Sequence, residues 1–161
     1  MTNQQQLTIK MAHDAWNGQA TRADKLISSL SDEQLGQEVA PGRNSGIYIL
    51  GHLTAVHDAM FPLLGVGEKL HPELEHIFIK NPDKSGIQKP ATKDLRNYWS
   101  EVNNKLSQHF NQFTLDEWFQ KHNSVTAEDF EKEPHRNKLN VLLNRTNHLA
   151  YHLGQLAFLK K

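Results

Sequence analysis

The chain has 161 residues, with 18 Lys+Arg balanced by 18 Asp+Glu and no cysteine. A formal charge of zero offers no basic face for nucleic acid, and the missing thiols exclude disulfides, thiolate metal sites and cysteine nucleophiles. The opening stretch MTNQQQLTIKMAHDAW is polar and no apolar run approaches the ~20 residues of a membrane span, so the chain reads as cytoplasmic, with neither a membrane nor a nucleic-acid partner.

Apolar residues recur at helical intervals from the start. Ile9, Ala12, Trp16, Ala20, Ala23, Leu26 and Leu30 predict a first helix over residues 4–30. Ser31 with Gln34 has the capping-box spacing and predicts a short turn of helix, and residues 40–44 read as a loop around Pro41-Gly42. Ser45 is a good N-cap for a second long helix reaching Leu64. Two stripes run along it: Ile49, His52, Val56, Met60, Leu63, and beside it Leu50, Leu53, His57, Phe61, Leu64. Pro62 should kink or end it, and Gly65 and Gly67 close it.

Residues 65–91 form a long connection that contains three prolines and a short helical segment within HPELEHIFIK. That length predicts a crossover, which lets the second and third helices run parallel. The third helix begins at Thr92 and buries Leu95, Trp99, Val102, Leu106 and Phe110. Thr114 and Glu117 form another capping box, ahead of a short amphipathic turn through Trp118. Residues 121–136 read as polar and irregular. The last helix, 138–160, carries Leu139, Leu142, Thr146, Leu149, Leu153 and Leu156 along one seam. The expected architecture is an all-α four-helix bundle formed by residues 1–161 as one domain.

Ten histidines are the distinctive chemistry. His148 and His152, at i and i+4 on the last helix, lie one turn apart on one face, where a single ion can sit between the rings. Leu149 stands where a zinc peptidase would need Glu, which argues against that chemistry. The same spacing also suits two surface histidines. The pair flanks the Leu seam, beside a groove that Arg145 and Gln155 could line. His52 lies mid-helix in an apolar stripe, where it is either a satisfied core histidine or a third ligand.

The segments Ser45-Gly-Ile-Tyr-Ile-Leu-Gly-His52-Leu, after Pro41-Gly42, and Asn147-His148-Leu-Ala-Tyr-His152-Leu-Gly-Gln resemble the two helix motifs of the DinB/YfiT-like superfamily. The resemblance covers essentially the whole chain. It implies a four-helix bundle, often dimeric, with His52, His148 and His152 holding a divalent transition metal, zinc or nickel foremost. It also implies a metal-dependent enzyme acting on a small molecule: a thiol S-transferase using a low-molecular-weight thiol cosubstrate, or a hydrolase. No protein side chain is expected to be catalytic beyond the water or thiol activated at the metal. The alternatives are a bundle that binds metal or a small ligand without turnover, and a degenerate dimeric member without metal.

Three imidazoles leave open positions on a divalent ion, as catalytic rather than structural sites do. His57 and Asp58 are second choices as outer partners of the ligands, though helix-surface positions suit them better. Arg145 could take an anionic substrate group, but pairing with a surface carboxylate is the plainer expectation. Tyr151 reads as packing, Gly154 as a point of close helix approach, and Trp16 and Trp99 as core.

Overall fold

The computed structural model describes residues 3–160; Met1, Thr2 and Lys161, the ends of the expected domain, lie outside it. Four long segments dominate. These are α1 (Asn3–Ser29), α3 (Gly46–Asp58) continued by α4 (Met60–Leu64), α6 (Thr92–Gln112) and α8 (Lys138–Leu156). Short helices α2 (Asp32–Leu35), α5 (Glu73–Phe78) and α7 (Ala127–Lys132) lie between them. There is no strand among the described residues, only isolated bridges at Glu38–Ser45 and Lys121–Asn137.

The helix starts follow local chemistry. Ser31 accepts from the Gln34 amide while Gln34 Oε1 accepts from the Ser31 amide, so both arms of the box form. Ser45 and Asn137 cap α3 and α8 through the amides of Tyr48 and Asn140. The second long helix breaks at Ala59. Pro62 cannot donate to the Asp58 carbonyl and its ring crowds that oxygen, so the chain restarts as α4. Gly65, at φ 72°, then ends α4 in the left-handed conformation.

Two apolar clusters fix the direction of each long helix. One collects Ala23 and Ile27, Ile49 and Leu53, Leu95 and Trp99, and Leu149 and Leu156. The other collects Ile9 and Trp16, Met60 and Phe61, Leu106 and Phe110, and Leu139 and Leu142. So α1 and α8 run one way and α3 and α6 the other, with α1 against α8 and α3 against α6. By length and composition Gly46–Leu64 would pass as a membrane span, contrary to the expectation that no segment comes close. Its apolar residues face the core, and 67% of that window is buried.

The connection over residues 65–91 is pinned to α3 at both ends. Asp58 is buried, and its two oxygens accept the amides of Leu70 and His71 at 2.7 and 2.9 Å. Asp83 accepts the Ser45 amide at 2.6 Å and pairs with Lys89 at 2.8 Å. Between these anchors, α5 lays the Phe78 ring directly on Gly51. A Cβ at residue 51 would come within 2.4 Å of that ring. The expected close approach at Gly154 is absent, since nothing lies within 4 Å of a Cβ there. Residues 127–132, expected to be irregular, form α7, capped by Thr126 at the Asp129 amide.

Gly51→Ala should therefore force Phe78 aside and cost about 1–3 kcal/mol in urea denaturation. Gly18→Ala, mid-helix with nothing within 4 Å, should instead stabilise by about 0.5–1 kcal/mol.

Candidate metal centre

Three imidazoles converge where α3 meets α8. His52 comes from α3, and His148 and His152 from successive turns of α8. Their candidate ligand nitrogens all lie within 4.8 Å of one another. The Nε2 of His148 is 3.2 Å from that of His52 and 3.2 Å from that of His152. Two nitrogens bound to one tetrahedral ion at 2.0–2.1 Å stand about 3.3 Å apart. The observed separations fit that spacing.

Hydrogen bonds on the far side of two rings set their tautomers. His52 Nδ1 is 2.8 Å from the Phe78 carbonyl, which only accepts, so Nδ1 carries the proton. His152 Nδ1 is 2.7 Å from Gln155 Oε1. The same amide donates through Nε2 to the Tyr151 hydroxyl at 3.1 Å, so Oε1 faces the ring and accepts from Nδ1. Both rings therefore present an Nε2 lone pair to the centre, the form that ligates a metal. His148 Nδ1 is buried without a partner.

Burial also keeps protons off the cluster. His148 is pushed down to about 4, first by desolvation and then by the fields of His152, His52 and Arg145. His152 is lowered by desolvation and by His52, against the opposing bond to Gln155. Near neutral pH both rings are uncharged donors. The donor set is all nitrogen, with no carboxylate, and suits zinc, nickel, cobalt or copper.

A cavity of about 150 Å³ opens onto the cluster. Tyr48, Phe78 and Ile79 wall it beside His52 and His152, and Asn44 stands on its lining. Tyr48 stacks parallel to His52 at a 9° interplanar angle and is held by its hydroxyl, which donates to the Asn81 carbonyl at 2.7 Å. A larger cavity of about 520 Å³ near Asp24 and Arg96 contains none of the three histidines.

The outer partners differ from those expected. His57 and Asp58 are not helix-surface residues; both are fully buried. Neither bonds a ligand: Asp58 holds the connection, and His57 Nδ1 pairs with Asn103 Oδ1 at 2.7 Å, its ring packed between Trp16 and Trp99. The acceptors that do orient ligands are the Phe78 carbonyl and Gln155. The first is a backbone atom with no side-chain signature. The second stands three residues after His152, a spacing that places it within reach on a helix. Arg145 has no carboxylate partner among the described residues, and Tyr151 is 65% exposed, with its hydroxyl accepting from Gln155. Trp16 and Trp99 are core, as expected.

A family model described as "DinB superfamily" matches residues 15–156. No curated protein matches the chain.

His57 makes a pH prediction. Desolvation drives it down to about 3, with the Asn103 bond opposing and the fields of His148, Arg145 and His52 adding. The unfolded chain takes up this proton below about 6.5, whereas the folded chain refuses it until near 3. Stability is thus complete above that upper value and falls as the pH drops below it, by about 1.4 kcal/mol per pH unit for such a group. Urea denaturation between pH 7 and 4 should show this loss, with a shallower slope in His57→Phe.

Proposed function

The chain belongs to the DinB superfamily, and on that premise we propose that it is a divalent-metal-dependent enzyme acting on a small molecule. The ion would be held by His52, His148 and His152. The observation that carries this reading is the meeting of three Nε2 atoms, two of them in the ligating tautomer, at the spacing of one coordination sphere. A bound zinc or nickel ion supplies Lewis acidity that makes a thiol or water nucleophilic at neutral pH.

The chain's own residues hold and shield the centre. The Phe78 carbonyl and Gln155 orient two rings. Burial leaves the His148 ring unprotonated near neutrality. Tyr48, Phe78 and Ile79 present apolar surface to whatever enters beside His52, and the Asn44 side-chain amide makes no hydrogen bond to a described residue, so it can take a polar atom of that ligand. The cavity is about the size that accepts a benzene ring. It therefore takes a small electrophile, with a larger cosubstrate reaching in from outside.

The preferred reaction is transfer of a low-molecular-weight thiol to that electrophile. With no cysteine in the chain, the sulfur would come from the cosubstrate. Metal-assisted hydrolysis is the second reaction the same centre could support.

Protein purified without an affinity tag should carry close to one transition metal per chain. His52→Ala, His148→Ala and His152→Ala should each abolish stoichiometric loading. Gln155→Leu, which removes only the acceptor behind His152, should weaken the metal about 10–100-fold. Absence of metal, with no uptake of zinc or nickel on titration, would overturn the proposal. Loaded protein given a chromogenic electrophile and a panel of thiols should form a metal-dependent adduct. If it forms none and hydrolyses nothing, the centre binds without turnover.

A further inference from the structure

Arg145 is a half-buried cation for which no described residue supplies a counter-charge. It lies on α8 one turn before His148, and no hydrogen bond or ion pair from it reaches any described residue. Its Nε is buried and unpartnered. Burial alone lowers its affinity for the proton, with no carboxylate acting on it. The contrast with Arg96 is plain: that guanidinium is taken up by the carbonyls of Ile27 and Leu30 and by Asp32. A half-buried guanidinium whose Nε is desolvated without a bond is unfavourable in the free protein, because that desolvation has not been offset.

The surroundings say what could satisfy it. Arg145 lines a cavity of about 400 Å³, together with Leu63 of α4, His122 and Ser124 on the loop before α7, and Val141 and Asn144 of α8. Among the described residues no carboxylate lines this cavity. Ser124 Oγ and His122 Nδ1 face each other at 2.9 Å and add polar groups to one wall, while Leu63 and Val141 supply an apolar one. One fixed positive charge matches one negative charge. The planar fork of a guanidinium matches the two oxygens of a carboxylate, whose one charge it balances; a phosphate monoester, which the fork also fits, carries nearly two.

We propose that Arg145 is the receptor for a carboxylate on a small-molecule ligand, seated in the cavity between α4, residues 122–124 and α8. The carboxylate site stands on this geometry alone. That its ligand is also the substrate or cosubstrate of the three-histidine centre rests on the function proposed above. The closeness of Arg145 to that centre favours the link, since its charge is felt by the His148 ring.

The test is a calorimetric titration at low ionic strength, run on chelated and on zinc-loaded protein. Propionate and benzoate are compared with propionamide and benzamide, and with inorganic phosphate. Saturable 1:1 binding of a carboxylate at least about tenfold tighter than its amide is expected, weakened at least about tenfold in Arg145→Met. Arg145→Lys, which keeps the charge and loses the fork, should fall between. The thermal midpoint of Arg145→Met should not drop, because the guanidinium has no internal bond to lose. Equal affinity for acid and amide would overturn the proposal. So would binding unaffected by Arg145→Met, a preference for phosphate, or no binding of any carboxylate. Because the chelated protein is titrated too, failure here leaves the metal reading standing, and failure to load zinc leaves this site standing.

Discussion

Lone pairs of like kind repel when they are pointed at one another. His52 and His152 have their protons committed outward, to a carbonyl and to an amide oxygen, so both Nε2 atoms bring electron density to the same place. His148 lies 3.2 Å from each of them and has at most one proton to offer there. Such a cluster is poorly satisfied by internal hydrogen bonding and well satisfied by a cation. The burial that keeps His148 neutral acts in the same direction, since it removes protonation as an escape.

The scaffold holds this arrangement by fastening an irregular segment to a regular one. Asp58 and Asp83 tie residues 70–71 and 83 to α3, and α5 is thereby pressed against the helix that carries His52. Only a glycine at position 51 lets the Phe78 ring come so close. The approach of that ring brings its own carbonyl within 2.8 Å of His52 Nδ1. The Ile-Leu-Gly-His run thus has one physical explanation for two residues: the missing side chain admits the neighbour that orients the ring beside it. Deeper in the bundle, His57 between two tryptophans closes a polar contact with Asn103 inside the core.

The long helices were legible because burial imposes a 3–4 spacing on sequence. Leu95, Trp99, Val102, Leu106 and Phe110 of α6, and the Leu139–Leu156 seam of α8, are buried as that spacing predicts. The three histidines were legible for a related reason: one lies in an apolar stripe and two lie a turn apart. His57 stood in the companion stripe with Leu53 and Phe61, and that stripe already pointed it inward. What stayed hidden leaves no periodic trace. Helix α7 buries none of its residues, so nothing in its spacing distinguishes it from a loop. A backbone carbonyl such as that of Phe78 has no residue type. Of two motif glycines, only Gly51 meets a neighbour; Gly154 faces open space, and only coordinates tell them apart. The missing partner of Arg145 is likewise a property of the assembled surface.

His52 and His148 are separated by 96 positions in the chain. A cation shared between them would act as a cross-link closing most of the bundle into a single loop. In a chain that cannot form a disulfide, such a tether would join the second helix to the last. Covalent closure of a loop of about 100 residues restricts the unfolded ensemble by roughly 4–5 kcal/mol. A coordinate tether has similar reach, yet acid or a chelator unfastens it. The centre would thus hold the two halves of the fold together reversibly, and loss of its ion would be felt as slackening of the whole bundle.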